Sequence, residues 1–351
     1  LETPQFEIYD YILPFLWSFL LAVFAIPSII FVAHIKNLLD EPNKRTVHMS
    51  LTPRLGGLAI FAAFMSSLTI FGTLDFGIQQ LLAGCIILFF IGLKDDLVSV
   101  SAFKKFFVQI LAAGIIIFIG DIRITSFQGV FGIFEIDDKL SYLFTFLVIM
   151  GISNSINLID GMDGLAGSIL LIITLSFGLY LHYYGGEYYS AYAMVAVCLV
   201  GGILGFLRFN FKNALIFMGD TGSLVSGLIV AVLAIKFIEM NKIPAGPSVA
   251  VSILVVPIFD TLRVFTIRVI NGVSPFSPDK NHLHHQLLKI GLKQGETLFI
   301  LIFFNILVIL ISIYFSNAGN STMITILASL FIITNLIIEL LVKNKVKKSH
   351  A

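Results

Sequence analysis

The chain has 351 residues, 58% of them hydrophobic and only 12% charged, with a net charge of +1 and a mean hydropathy of +0.98. A soluble domain is about a quarter charged and just under half apolar, so the composition excludes a soluble enzyme and predicts an all-α polytopic membrane protein. The net charge selects no partner; the lipid bilayer is expected as one and nucleic acid is not.

Eleven apolar stretches follow one another at 11–35, 55–74, 78–93, 103–119, 140–156, 164–184, 190–207, 222–238, 247–270, 298–316 and 321–342. Each is close to the roughly 20 residues that a bilayer core demands of a helix. Several connections are tight, such as 75–77 and 185–189, and no repeat or long linker divides the chain, so 1–351 reads as one integral-membrane domain. The longest connection on its side of the membrane is 271–297, read as a loop. The first ten residues are acidic and carry no Lys or Arg, unlike the start of a signal peptide. Cys85 and Cys198 both sit in apolar runs, where a free thiol behaves as a small hydrophobe, so neither a disulfide nor a zinc site is expected.

Eleven spans place the two termini on opposite sides. The side shared with the N-terminus holds four basic residues: Arg123, Lys139, Lys236 and Lys242. The other side holds seventeen of the chain's 22 lysines and arginines, and Arg263 lies inside a span. Basic residues concentrate in cytoplasmic loops, so the N-terminus is expected outside and the C-terminus in the cytoplasm.

Five polar clusters fall at span ends, all on that basic side: Lys44 to Gly57 (KRTVHMSLTPRLGG, with Lys44 and Arg45); Asp95 and Asp96 followed by Lys104, Lys105 and Gln109; Asn157, Asp160 and Asp163 within NLIDGMDGLA; Asn210 to Ser223 (NFKNALIFMGDTGS, with Asp220); and Pro278 to Leu288 (PDKNHLHHQLL, with His282, His284 and His285). Each has a plain structural reading. Asp163 suits the N-cap of the next span, Asp160 and Asp163 would share a face of a helix, and the Lys44 cluster would serve as an orientation signal. Their occurrence together on one face favours a joint chemical role.

Asp95, Asp96, Asp160, Asp163 and Asp220 are hard oxygen ligands that suit Mg²⁺ or Mn²⁺ rather than zinc. Nearby Lys, Arg and His supply positive charge for phosphates, and the backbone amides of Met218 to Ser223 open a span where an anion could approach. These are the parts of phosphoryl transfer. HLHH lacks the HExxH spacing of zinc hydrolases. A transporter is the rival reading, because charges inside a membrane often mark an ion path. Yet the span interiors hold few ionisable groups beyond Asp260 and Arg263, whose i,i+3 spacing predicts a mutual ion pair.

PRLGG at 53–57, the aspartate pair at 95–96, NLIDGMDGLA at 157–166, FMGDTGS at 217–223 and PDKNHLHHQLL at 278–288 resemble, in order, the motifs of the polyprenyl-phosphate N-acetylhexosamine-1-phosphate transferase family. The resemblance covers nearly the whole chain. It implies transfer of a sugar phosphate from a UDP-N-acetylhexosamine to undecaprenyl phosphate, with UMP released and Mg²⁺ as the metal. The enzyme would sit in the bacterial inner membrane with its site facing the cytoplasm, and a homodimer is compatible with it. PRLGG and HLHHQLL stand where the phospho-N-acetylmuramoyl-pentapeptide transferases carry PTMGG-like and HHHFE-like stretches, which favours the N-acetylglucosamine branch over that alternative. By resemblance, Asp220 is the metal ligand and Asp95 and Asp96 activate the acceptor phosphate. Asn157, Asp160 and Asp163 surround nucleotide and metal, Asn210 lies near the diphosphate, His284 and His285 near the phosphates, and Lys105 binds substrate. Lys44, Arg45, Arg263 and His282 complete the expected substrate-binding set, with 271–297 as the recognition loop.

Overall fold

The computed structural model describes residues 6–39, 51–75, 77–274 and 281–350, and almost all of them are helical. The helices are α1 (Ile12–Ile35), α2 (Gly56–Phe71), α3 (Ile78–Leu97), α4 (Ala102–Gly114, continued by a π turn to Ile119), α5 (Asp138–Leu158), α6 (Leu165–Tyr184), α7 (Gly186–Asn210), α8 (Gly219–Glu239), α9 (Gly246–Ile253), α10 (Val255–Ile270), α11 (Leu283–Ile290), α12 (Gln294–Tyr314) and α13 (Asn320–His350). Among the described residues, nine helices are long and apolar enough to cross a bilayer, or ten if α9 and α10 count as one broken span. The remaining expected span is α2, which has only 16 residues. Every one of the eleven stretches is thus helical, and the fold is that of a polytopic all-α membrane protein.

The bundle is built around α8, whose apolar span is 94% buried, and α7, whose apolar span is 89% buried. A helix apolar all round belongs in an interior, and α8 reads SLVSGLIVAVLAIKF with no polar face. Its first turn lies against α2 and α3 at a distance that only small residues permit. A Cβ on Gly57 would stand 2.0 Å from the Gly222 backbone nitrogen, so α2 and α8 touch backbone to backbone. Gly219 has a left-handed φ of +72°, and a Cβ there would meet Arg54 O at 2.3 Å and Asp96 Oδ1 at 2.6 Å. The segment before α2 is also stitched to the segment before α8. Phe217 N–H donates to Pro53 O, Gly56 N–H to Phe217 O and Gly57 N–H to Met218 O, each at 2.8 Å. PRLGG and FMGD therefore form one extended pairing that delivers both helix starts to the same point.

The ninth span is not the continuous helix expected over 247–270. It breaks at Leu254 with a bend of 78° between α9 and α10. Pro257 has no N–H to give to the carbonyl four residues back, which is Ile253. That carbonyl instead accepts from Asn305 Nδ2 of α12 at 3.1 Å, which satisfies it within the bundle. Two connections also differ from plain loops. The one before α5 carries a hairpin of β1 (Ser126–Val130) and β2 (Ile133–Glu135), antiparallel and irregular between its registered ends. The stretch 271–297 contains α11 and the start of α12, its residues 275–280 lying outside the described ones.

Candidate active site

The end of α3, the starts of α4 and α8 and the end of α5 meet at one end of the bundle, and their polar side chains converge on Asp220. Lys105 Nζ lies 2.7 Å from Asp220 Oδ2 and 3.1 Å from Asp95 Oδ2, bridging two carboxylates from different helices. Asn157 Nδ2 donates to Asp220 Oδ1 at 3.2 Å and to Ser223 Oγ at 2.8 Å. Asp95 Oδ1 accepts from Val100 N–H at 2.6 Å, which holds its carboxylate at the turn between α3 and α4. All four are half-buried, so the centre is partly open to solvent.

Asp96 does different work. Its Oδ1 accepts from Asp220 N–H at 2.7 Å, and its Oδ2 accepts from Thr221 N–H at 3.0 Å and from the Thr221 hydroxyl. Helix starts carry unpaired N–H groups and a positive partial charge, and here a carboxylate from α3 satisfies them. The amides expected to receive a substrate anion are therefore occupied by the protein's own carboxylates, because Gly219 N–H likewise donates to Asp160 Oδ2 at 3.2 Å. Of the aspartate pair, Asp95 faces Lys105 and Asp96 caps α8.

The turn between α5 and α6 gathers the next group. Asp160 and Asp163 lie in a turn, not on a shared helix face, and each holds a different part of the segment before α8. Asp163 is not the N-cap of α6, which starts after left-handed Gly164. Its Oδ2 accepts from Ala214 N–H at 3.1 Å. Asn210, buried, accepts from Gly164 N–H at 3.0 Å and donates to Ile216 O at 2.9 Å. The Asn210 amide is thus committed to backbone at both ends and locks the two turns together. Burial pushes the Asp160 carboxyl up to about 7, aided by the carboxylates of Asp220 and Asp96 and opposed by the Gly219 N–H and the Arg54 charge.

The histidines arrive on α11. His284 is buried, its Nε2 makes no hydrogen bond, and a Cβ on Gly161 would stand 2.8 Å from that nitrogen. Burial, with His285 beside it, pushes the His284 ring down to about 3, so it is neutral at physiological pH. His285 is half-buried with its ring centroid 4.2 Å from that of His284. Asp260 does not take Arg263 as the sole partner its spacing predicts; it pairs with His282 Nδ1 at 2.6 Å. Arg263 is buried one turn further along α10. Gln109 exchanges hydrogen bonds with Asn154 at 2.9 and 3.4 Å, joining α4 to α5 behind Lys105. Lys44 and Arg45 lie outside the described residues. Sequence reasoning missed Ser223 and Thr221, which anchor Asn157 and Asp96. The signal available was their position within GDTGS, in the first turn after Asp220.

The donor set is oxygen from aspartates around one ammonium. Among the described residues no three His, Cys, Asp or Glu groups are gathered into a ready-made metal cage. Carboxylate oxygens such as those of Asp95 and Asp220 are hard ligands of the kind Mg²⁺ takes, one or two at a time, alongside waters or substrate phosphates. The Lys105 ammonium is held between Asp95 and Asp220. Away from this polar end, an apolar groove of about 540 Å³ runs along α5, α8 and the broken span, lined by Val148, Ile152, Leu254, Ile258 and Leu262 among others. Ser155 and Thr261 at its wall are two residues from Asn157 and one from Asp260.

Comparison with known proteins gives a consistent picture. A sequence model of glycosyl transferase family 4 matches residues 78–238. The chain is 33% identical over 330 residues, 93% of its length and 89% of the relative's, to a probable undecaprenyl-phosphate N-acetylglucosaminyl 1-phosphate transferase of Bacillus subtilis. It is 37% identical over 278 residues, 71% of its length and 69% of the relative's, to a decaprenyl-phosphate N-acetylglucosaminephosphotransferase of Mycobacterium tuberculosis. An undecaprenyl-phosphate alpha-N-acetylglucosaminyl 1-phosphate transferase of Escherichia coli is 28% identical over 279 residues, 77% of this chain and 74% of the relative.

Proposed function

The chain belongs to glycosyl transferase family 4, among its polyprenyl-phosphate N-acetylhexosamine-1-phosphate transferases, and from that premise we propose that it moves N-acetylglucosamine-1-phosphate from the UDP-sugar to undecaprenyl phosphate and releases UMP. The observation that carries the reading is the convergence of Lys105, Asn157 and Asp95 on Asp220. Three sequence-distant clusters become one centre of the composition that diphosphate chemistry needs.

In this mechanism the acceptor phosphate oxygen attacks the β-phosphorus of the donor. The bond from that phosphorus to the bridging oxygen breaks, and the bridging oxygen leaves on UMP. A phosphate monoester has its second pKa near about 6, so the acceptor is largely dianionic at neutral pH and needs orientation more than deprotonation. Asp95, held by Val100 N–H, faces the reacting side and takes any remaining proton. Lys105 contributes a fixed positive charge to the anions that meet here. Asn157 keeps the Asp220 carboxylate turned into the centre through its second anchor on Ser223. Asp220 would hold Mg²⁺, which when bound supplies charge neutralisation to the donor diphosphate. The apolar groove fits a prenyl tail, and the excess of basic residues at this end favours a site facing the cytoplasm of a bacterial inner membrane.

The test is UMP release from UDP-N-acetylglucosamine by the full chain in vesicles, with and without undecaprenyl phosphate and Mg²⁺. Release that requires both supports the reading. Flux of a solute without chemical change, or turnover indifferent to the lipid phosphate, overturns it.

A further inference from the structure

Away from the Asp220 centre, Asp260 is the buried carboxylate with the most defined attachments. It lies on α10, just past the break in the ninth span, and is 2% exposed. Both of its oxygens go to the start of α11. Oδ1 accepts from Leu283 N–H at 2.5 Å and Oδ2 meets His282 Nδ1 at 2.6 Å. A carboxylate only accepts, so the shared proton sits on His282 Nδ1. The ring then has Nε2 alone to offer, and among the described residues it makes no other hydrogen bond.

That nitrogen belongs to a trio. The His282 ring centroid is 5.8 Å from that of His284 and 6.4 Å from that of His285, and His284 abuts Gly161 in the turn that carries Asp160. Asp260 from α10 and the other two histidines of its own segment thus lie beside His282. A carboxylate behind one ring nitrogen fixes the tautomer and aims the ring. Capping alone needs one oxygen on Leu283 N–H; the second oxygen on His282 is what a purely structural cap does not require.

We propose that Asp260 is a positioning residue for the sugar-phosphate transfer, holding His282 so that Nε2 accepts a hydrogen bond from an O–H or N–H of the donor. The proposal rests on the functional reading above. Asp260→Asn keeps an oxygen for Leu283 N–H but removes the charge behind His282.

The experiment is a double-mutant cycle on the full chain in vesicles with UDP-N-acetylglucosamine, undecaprenyl phosphate and Mg²⁺, comparing wild type, Asp260→Asn, His282→Gln and the double variant. Melting temperatures are measured in parallel. Asp260→Asn is expected to lower kcat about 10- to 100-fold, the range seen when an orienting partner behind a functional histidine is lost. The KM for the UDP-sugar should stay within about twofold. In the His282→Gln background the same substitution should cost less than about twofold more. A wild type that releases no UMP overturns the functional reading and this proposal with it. An active wild type overturns the proposal alone if Asp260→Asn keeps its rate, if it loses as much without His282 as with it, or if the loss follows a fall in melting temperature.

Discussion

Lys105 and Asp220, 115 residues apart, lie 2.7 Å apart as ammonium and carboxylate, and Asp95 shares the same ammonium. A lysine bridging two half-buried carboxylates can be lost only by leaving them to repel each other. Lys105→Gln should therefore destabilise the protein by about 2 kcal/mol in the absence of divalent cations, a half-exposed version of breaking a buried pair. Mg²⁺ should restore more melting temperature to this variant than to the wild type. Thermal unfolding in EDTA and in Mg²⁺ checks this; equal responses of the two proteins would show that the carboxylates are not a cation site.

Asp220→Asn removes the charge on which Lys105 and Asn157 converge while keeping the shape. Sugar-phosphate transfer should fall by at least about 10²- to 10³-fold, the scale for losing a principal electrostatic contact to a transition state. The melting temperature should stay near that of the wild type. Steady-state turnover of a monodisperse preparation decides, and near-normal rates with Mg²⁺ would remove Asp220 from its role.

The two adjacent aspartates should separate cleanly. Asp95→Asn should lose rate without much loss of stability. Asp96→Ala should lose about 1–3 kcal/mol of stability, since it strands the Asp220 and Thr221 N–H groups at a buried helix start. Rates and melting curves of both variants distinguish them, and the reverse assignment of effects would mean the cap is not what Asp96 provides.

Asp160 gives a pH dependence. The folded carboxyl holds its proton up to about 7, while an unfolded aspartate releases it near about 3.9. The folded state thus binds the extra proton between those values, so this group's contribution is fully present below about pH 4 and is lost as pH rises through about 7. Asp160→Asn should flatten that part of the stability profile in metal-free buffer. Melting temperatures of both proteins from pH 5 to 8 test it; parallel profiles would rule out Asp160 as the source.

The Gly57 and Gly222 contact predicts a steric result. Gly57→Ala puts a methyl carbon into the α8 backbone and should abolish folded protein, whereas Gly151→Ala, whose added Cβ would meet nothing within 4 Å, should be tolerated. Yield of monodisperse protein after size-exclusion chromatography reads the difference.

The spans were legible because a helix in hydrocarbon must satisfy its own backbone, which forces long apolar runs that any reader of the chain can see. The site residues were legible as types for the related reason that acids in such a chain are costly and therefore few. Their division of labour was not. Nothing local distinguishes Asp95 from Asp96; what separates them is that Asp96 meets Thr221, 125 positions away. Asp260 and Arg263 looked like a pair because helical spacing is a local rule, while the partner that Asp260 takes comes from another element. Pro257 was visible, but a proline in a span implies a kink without saying how sharp. At the 78° bend Asn305 donates to the Ile253 carbonyl that the proline leaves without a helical donor.

That last pairing bears on how the protein is made. Chains enter the membrane from the N-terminal end, so α9 and α10 arrive before α12 is synthesised. Until Asn305 follows, 52 residues later, the Ile253 carbonyl has no partner in the lipid. The hydrogen bond at the break is therefore completed by a span that comes after it in the chain. A chain truncated before α12 would lack the donor that satisfies the Ile253 carbonyl at the bend.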